Sequence, residues 1–438
     1  MNVLLIQPPI EDFYTTPIRL YPLGLLYVAA TLRRLGCEVQ LLDCLSPPRK
    51  RQTALPPSMR YLKPHFEKNP LLFKHYYRFG LADEMILERI HAAAPDWVGI
   101  SANFTAYFET TARLARMIKK AYDVPIMIGG NHASAFTKEI GEREPQFDAV
   151  LSGAAETALP KFWGERFGGQ FQAIDWKTLR PAHDLAAASD YQIGRKPYVS
   201  LIASRGCPFA CEFCSVHAMF GRKTDYRPVE DVIEEMCLNV QQKGIRIFNF
   251  EDDNLSFDRR WFKTFLQRII DEPLLQGVEL TAMNGICYPT LSGELLELMR
   301  RAGFRQLNLS FVTHDAELRR VMRRPAHGDL ELLVKAAQKL NFFITVYVII
   351  GLPEQSFAEV KQTIDYLLDL DVLVGPSVFY IPPASAMYDG LEISEELRAN
   401  WELYRSSAFA VETKRLSRAQ LIELFNYARA GNLKRKTR

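Results

Sequence analysis

Short apolar runs alternate with stretches of helical periodicity along most of the chain. Residues 3–6 form an uninterrupted apolar run, the pattern of a strand buried on both faces. Residues 23–35 follow with Leu23, Leu26, Tyr27 and Ala30 at helical spacing and stop at Gly36, after which residues 38–43 read as strand again. Residues 97–101, 126–129 and 149–151 supply three more strands, and residues 105–121, 134–142 and 156–166 three more helices. Five strands separated by helices predict a doubly wound parallel sheet, whose ligands sit at the carboxyl ends of the strands.

The second half repeats the alternation with a different count. Strands are expected at 198–203, 245–250, 278–282, 306–310, 343–350 and 374–380, with helices at 229–242, 261–270, 292–301, 330–340 and 357–370. Six such units predict a partial parallel (β/α)6 barrel, open on one side, with its reactive face again at the carboxyl ends of the strands. Residues 168–197 have mixed polarity and little periodicity, as a linker does. The expected division is therefore a doubly wound domain over 1–167, a linker over 168–197, a partial barrel over 198–390 and a helical C-terminal extension over 391–438 that ends in a basic tail. Within the first domain, residues 46–80 form an insertion in which Arg49, Lys50, Arg51, Arg60, Lys63, Lys68, Lys74 and Arg78 face only Glu67 as counter-charge, interleaved with Tyr61, Phe66, Phe73, Tyr76 and Tyr77. Such a stretch suits an acidic ligand or a cover over a domain junction, and the second reading is preferred here.

A length of 438 residues exceeds what one core usually holds, and a hydrophobic fraction of 48% is ample for two. Charge is close to balanced, 54 Lys+Arg against 51 Asp+Glu, so the overall field gives no case for a nucleic-acid partner. The N-terminal apolar run has no basic region ahead of it and meets Pro8-Pro9 at once, which suits a strand better than a signal peptide. The later apolar run at 342–350 is interrupted by Thr345 and too short to span a bilayer. Seven cysteines do not resemble a disulfide framework, and a cytoplasmic, reducing location is expected.

Three of those cysteines lie together in Ser204-Arg205-Gly206-Cys207-Pro208-Phe209-Ala210-Cys211-Glu212-Phe213-Cys214-Ser215. The spacing C-x3-C-x2-C differs from the paired C-x2-C knuckles of zinc sites and from ferredoxin runs, which carry a fourth cysteine nearby. Three thiolates on one loop can hold three irons of a four-iron cluster and leave the fourth iron open for chemistry. The motif, with the aromatic Phe213 just before its last cysteine, resembles the signature of the radical S-adenosylmethionine (SAM) enzymes. That resemblance implies a [4Fe-4S] cluster on Cys207, Cys211 and Cys214, SAM chelated at the open iron, and its reductive cleavage to methionine and a 5′-deoxyadenosyl radical.

The strand ends of the first domain carry Ser101-Ala102-Asn103-Phe104, Gly129-Gly130-Asn131-His132-Ala133-Ser134 and Ser152-Gly153-Ala154-Ala155-Glu156. Tandem glycines after a strand admit a ligand close to the backbone, with His132 and Ser134 facing it. Together with Pro22-Leu23-Gly24-Leu25-Leu26, these runs resemble the flavodoxin- or Rossmann-like cobalamin (B12)-binding domain that precedes the cysteine motif in a large radical SAM subgroup. The resemblance implies cobalamin contacts from Pro22, Leu23, Gly24, Ser101, Asn103, Phe104, Gly129, Gly130, Asn131, His132, Ser134, Gly153 and Glu156. The usual pattern has proline at Asn131 and Gly-Glu-Gly-Glu at 153–156, and the Asp-x-His-x-x-Gly motif of an axial histidine is absent.

The barrel strand ends extend the resemblance. Glu251-Asp252-Asp253-Asn254 follows the second strand and suits an amine and hydroxyl groups in a pocket; in the family this place binds the SAM amino group. Asn284-Gly285 follows the third strand. The resemblance further implies SAM contacts from Phe213, from Ser310 and Thr313 after the fourth strand, from the Gly351-Leu352-Pro353 bend after the fifth and from Tyr380 after the sixth. Cys287 is a weak candidate for a catalytic thiol near the radical. Cys37, Cys44 and Cys237 read as core, His217 as a hydrogen-bonding neighbour of the cluster, and Arg319, Arg320, Arg323 and Arg324 as a solvated face.

The expected activity is cobalamin-dependent methylation of an unactivated carbon. The alternatives are a cobalamin-assisted or cobalamin-free radical rearrangement, cyclisation or oxidation, or a corrinoid or redox sensor without catalysis. The expected partners are a small-molecule or natural-product substrate and an electron donor such as flavodoxin or ferredoxin.

Overall fold

The computed structural model describes residues 1–14, 21–69, 71–325 and 328–436. The first apolar run becomes β1 (Asn2–Gln7), in which Val3, Leu4, Leu5 and Ile6 are buried from both sides. A helix at Leu23–Arg34 leads to β2 (Glu38–Asp43), which lies parallel to β1 with Asn2 opposite Glu38. On the other side of β1 lie β3 (Trp97–Ser101), β4 (Ile126–Gly129) and β5 (Ala149–Leu151), giving one parallel sheet in the order β2-β1-β3-β4-β5. The direction of strand succession reverses between β1 and β3, which opens a crevice beyond the carboxyl ends there. Helices at Phe108–Ala121 and Ala155–Phe167 stand where the periodicity predicts them. The helix expected at 134–142 is broken in two, Asn131–Ala135 and Thr137–Arg143, because Phe136 between them turns its ring against Trp401, 4.8 Å away.

The second half builds β6 (Lys196–Leu201), β7 (Ile247–Phe250) and β8 (Glu279–Thr281) into one parallel group. A second group consists of β9 (Gln306–Val312), β10 (Phe343–Ile350) and β11 (Leu373–Val378). Single parallel bridges, Leu280 to Phe304 and Ile286 to Leu309, join the groups into a six-stranded partial barrel. The intervening helices start where side chains cap them: Ser292, Asp315 and Asp329 each accept a first-turn N–H, and Ser356 with Glu359 forms a capping box. In β10, Ile344, Val346, Val348 and Ile350 are buried while Thr345, Tyr347 and Ile349 between them are half-buried, so one face packs against helices and the other lines the open barrel.

The stretch read as a linker is a buried junction. His183 joins Tyr21 of the first domain, 2.5 Å from its Nδ1, to Glu235 of the barrel, 2.9 Å from its Nε2. Glu235 also pairs at 2.7 Å with Arg227, whose side chain is wholly buried. The insertion is structured as well. Its strands Lys50–Thr53 and Tyr76–Phe79 form a three-stranded antiparallel sheet with Ile10–Asp12, and exposed Lys50, Arg51 and Gln52 guard its outer edge. It packs on the C-terminal extension: Tyr61 donates to Ala408 O at 2.9 Å, Asn426 to Asn69 Oδ1 at 3.0 Å, and Phe73 lies 5.8 Å from Phe425. From the extension, Arg405 donates to Glu11 O at 2.6 Å and to Ala106 O at 2.5 Å, and Ser407 donates to Asp12 at 2.9 Å. The basic tail continues the helix Arg418–Lys436, with Arg435 bonded to Asp371 at 2.5 Å; residues 437–438 lie outside the described ones. Among the described residues no helix is long and apolar enough to cross a membrane.

Removing one partner of a buried ion pair strands the other charge. Glu235→Gln is therefore expected to destabilise the fold by about 3–5 kcal/mol, read as a lower urea midpoint. The pair of substitutions Glu235→Leu and Arg227→Met is expected to lower it less.

Candidate active site at the barrel mouth

The cysteine loop begins where β6 ends. Ser204–Arg205 turns back to pair antiparallel with Asp225–Tyr226, and Gly206 then takes φ +83°. A Cβ there would come within 2.3 Å of Lys223 O, so the turn into Cys207 requires glycine. Asp252 pins the base of the loop from beneath, accepting from Ser204 N at 2.5 Å, Ser204 Oγ at 2.6 Å and Ala203 N at 3.2 Å. Asp253 Oδ2 accepts from Gly206 N at 2.8 Å. Cys211 is buried and Cys207 and Cys214 half-buried. Burial pushes the Cys214 thiol up to about 11, and its neighbours Cys211 and Cys207 push the same way. The donor set fits a four-iron cluster: its thiolates each bind a different iron, and three soft ligands on one loop leave one iron open.

Around the thiols stand groups that tune and orient. Asn254 Nδ2 donates to Cys207 Sγ at 3.5 Å, and His217 Nε2 lies 3.1 Å from Cys207 O. Arg324 is the main departure from the expected solvated face. Its Nη2 donates to Ser310 O and Oγ, both at 2.8 Å, and its Nη1 approaches Cys211 Sγ at 3.8 Å. Arg320 does face solvent, paired with Glu317, whereas Arg323 takes the left-handed φ of +49° that swings Arg324 inward. Burial works against the Arg324 charge, and the facing Cys287 and Cys211 more than offset it, raising its pKa. Cys287 itself is buried, its thiol pushed up to about 11 chiefly by that burial.

The acidic run after β7 divides by direction. Glu251 accepts from Asn249 Nδ2 at 2.5 Å and from Asn284 Nδ2 at 2.8 Å, while Asn254 Oδ1 and Asn284 Oδ1 are buried without partners. Unpaired buried acceptors beside a carboxylate suit a ligand that brings an ammonium or hydroxyl donors, as SAM does. Asp252 serves the loop instead of the mouth. Thr313, expected as a SAM contact, is buried against Thr363, 3.4 Å between hydroxyls, because the strand slips register between Ser310 and Val312. At the fifth strand end, Gly351 takes φ +92°, and the N–H groups of Gly351 and Leu352 donate to Gln355 Oε1 at 2.7 and 2.9 Å.

A cavity of about 570 Å³ lies between the two halves. Phe213, Ser215 and Asp253 line it from the cluster side, Asn103, Phe104 and Ser134 from the first domain, and Tyr380 and Pro382 from the end of the barrel. Next to it a slot of about 180 Å³ runs along the carboxyl ends of β3, β4 and β5, lined by Gly24, Ser101, Gly129, Gly130, Gly153 and Glu156 among others. A Cβ at Gly24 or Gly129 would meet nothing closer than 3.8 Å, and one at Gly153 nothing within 4 Å. Side chains at these three positions would fill the slot, so the glycines leave room for a bulky group, as the tail of cobalamin is. Pro22 and Leu23 are buried at the start of their helix and do not line it. Ser134 ties the loops together, donating to Gly130 O and accepting from Gly153 N, both at 2.9 Å. His132 is sunk between Phe108, Trp401 and Phe136, with Nδ1 3.1 Å from Thr105 Oγ1. Burial lowers its pKa to about 3, so the ring is neutral and sits at the edge of the cavity.

Residues 15–162 match the B12 binding domain and residues 201–367 the radical SAM superfamily. The chain is a radical SAM enzyme. More narrowly, it belongs to the subgroup in which a cobalamin-binding domain precedes the radical SAM domain, and its cofactors are a [4Fe-4S] cluster, SAM and cobalamin. Cytidylyl-2-hydroxyethylphosphonate methyltransferase of Streptomyces wedmorensis is 25% identical, the match covering 83% of this chain and 76% of that one. The uncharacterized methyltransferase PH0819 of Pyrococcus horikoshii is 24% identical over 98% of this chain and 91% of its own. Among solved structures, the radical SAM methyltransferase TsrM from Kitasatospora setae, with cobalamin and [4Fe-4S] cluster bound, has the same fold. It matches with a TM-score of 0.67 at 16% identity, covering 97% of this chain and 90% of that one.

Burial raises Asp252 from 3.8 to about 7, and Asp43 likewise to about 6. At these two carboxyls the folded chain keeps protons that the unfolded chain releases, so their contribution to stability falls as pH rises from about 4 toward 7. Asp252→Asn, which keeps an acceptor for Ser204 N–H, is expected to flatten the cluster-free protein's stability profile between pH 6 and 7, where Asp252 contributes more than Asp43. Urea midpoints across that window check it.

Proposed function

We infer that this enzyme methylates an unactivated carbon of a small molecule held in the cavity between its two halves, with cobalamin as the methyl carrier. The observation that carries the reading is shared lining: Asn103, Asn131, Met219 and Phe220 border both the glycine slot and the cavity that Phe213 of the cysteine loop faces. Two cofactor sites that open into one chamber suit a reaction in which both act on the same atom. When bound, the cluster with SAM supplies a hydrogen-abstracting radical and the corrinoid supplies a transferable methyl group.

The chain's own residues do the rest. Cys207, Cys211 and Cys214 take three irons, which keeps the fourth free for SAM. Glu251, Asn254 and Asn284 offer acceptors to the SAM amine and ribose, and Arg324, fixed on Ser310, sets a positive charge beside the thiolates. Phe104, Tyr14 and Tyr380 wall the cavity and exclude water from the reacting carbon. In this reading residues 1–167 carry the corrinoid and residues 198–390 the cluster and SAM, while residues 168–197, 46–80 and 391–438 hold them face to face. A one-electron donor such as flavodoxin or ferredoxin reduces the cluster, in keeping with a cytoplasmic setting.

The test uses anaerobically reconstituted protein given hydroxocobalamin, dithionite and SAM. About four irons and one cobalt per chain are expected, with 5′-deoxyadenosine and S-adenosylhomocysteine both formed, the second because SAM must remethylate the carrier. Cys207→Ala is expected to lose the iron and both products. Four irons with 5′-deoxyadenosine but neither cobalt nor S-adenosylhomocysteine would sink methylation and leave a cobalamin-free radical reaction.

A further inference from the structure

Arg205 stands two residues ahead of the first cluster cysteine, yet its guanidinium belongs to the other half of the molecule. Nη2 donates to Glu156 Oε1 of the first domain at 2.8 Å, with both side chains less than a tenth exposed. The guanidinium lies over Trp176 at 4.4 Å, Tyr27 at 4.9 Å and Phe220 at 5.3 Å. Trp176 in turn donates Nε1 to Asp225 at 3.2 Å, and Asp225 is the strand partner of Arg205. The charge is therefore caged by the linker, the first helix, the first domain's last helix and the segment after the cysteines. A desolvated pair of this kind tolerates little displacement, because its attraction must offset the loss of two hydration shells.

The same residues wall the slot. Arg205, from just before Cys207, and Met219 and Phe220, from just after Cys214, line it together with Gly24, Gly129 and Gly153. One wall of the corrinoid slot is thus made of the two ends of the cysteine loop. A cluster clamps the three cysteines onto one rigid body and so holds the two ends, already in contact through Arg205 and Phe220, at one fixed separation. We propose that cluster and corrinoid binding are thermodynamically coupled through this wall, with Arg205 and Glu156 as the positioning pair: a loaded cluster tightens cobalamin binding. Reciprocity requires that bound cobalamin increase retention of the cluster by the same factor. The coupling rests on the reading of the first domain as the corrinoid site.

The test titrates hydroxocobalamin anaerobically into the full chain, cluster-loaded and iron-free, following its absorbance and the quenching of tryptophan fluorescence. The cluster-loaded form is expected to bind at least about fivefold more tightly. The double variant Arg205→Met with Glu156→Gln removes both charges, so neither is left unpaired in the core, and its ratio is expected to fall to about one with iron content unchanged. Arg205→Lys keeps the charge and gives up the planar stacking, and its ratio is expected to fall between the two. Equal affinity in the wild-type forms overturns the coupling and leaves the corrinoid site standing, whereas no binding to either form overturns both. A wild-type ratio in either variant overturns the assignment to this pair.

Discussion

Three buried arginines, two of them paired with carboxylates far away in sequence, hold this molecule in its working arrangement. A guanidinium taken out of water must be paired and hydrogen-bonded, or it costs several kcal/mol. Arg205 of the cysteine loop meets Glu156 of the first domain, Arg405 of the extension meets Asp12 at 3.5 Å and the Glu11 and Ala106 carbonyls, and Arg227 of the barrel meets Glu235 and the Lys177 carbonyl. Opening the halves would break Arg205 and Arg405 from partners that water replaces only after the cavity floods. The cost of parting is what keeps a glycine slot on one domain and a cysteine loop on another facing a common chamber.

The same arginines explain what the sequence hides. Most strands were legible because they read as short apolar runs, and the cysteine motif was legible because its chemistry lies within eight residues. Arg324 lay among four arginines, and nothing local separates the one that reaches Ser310 and Cys211; the discriminating feature is the left-handed turn at Arg323. Glu156 read as a ligand contact because its charge partner is 49 residues away. His183, in a stretch without periodicity, gave no signal of the Tyr21 and Glu235 contacts that make the stretch a junction.

Strand ends show a finer limit. The rule that functional side chains gather at carboxyl ends located the acidic run after β7, but successive residues of an extended chain point opposite ways. Glu251 faces the mouth, whereas Asp252 dips beneath the loop. At β9 a register slip of one residue has the same effect, turning Thr313 into the core while Ser310 stays beside Arg324. Position along the chain was readable there, and orientation was not.

The closure of the cavity by residues 401–409 bears on how the protein is made. Ser407 and Asp12 are 395 residues apart, and Arg405 and Glu11 are 394 apart. On the ribosome, which releases the chain from its N-terminus at about 5–20 residues per second, the first sheet is out long before its wall of Tyr404, Arg405 and Ser406 arrives. Until then the chamber is a half-shell that exposes Tyr14, Phe104 and Tyr107 to solvent. The chamber is thus the last part of the site to be completed, after both the glycine slot, lined no later than Phe220, and the cysteine loop have left the ribosome.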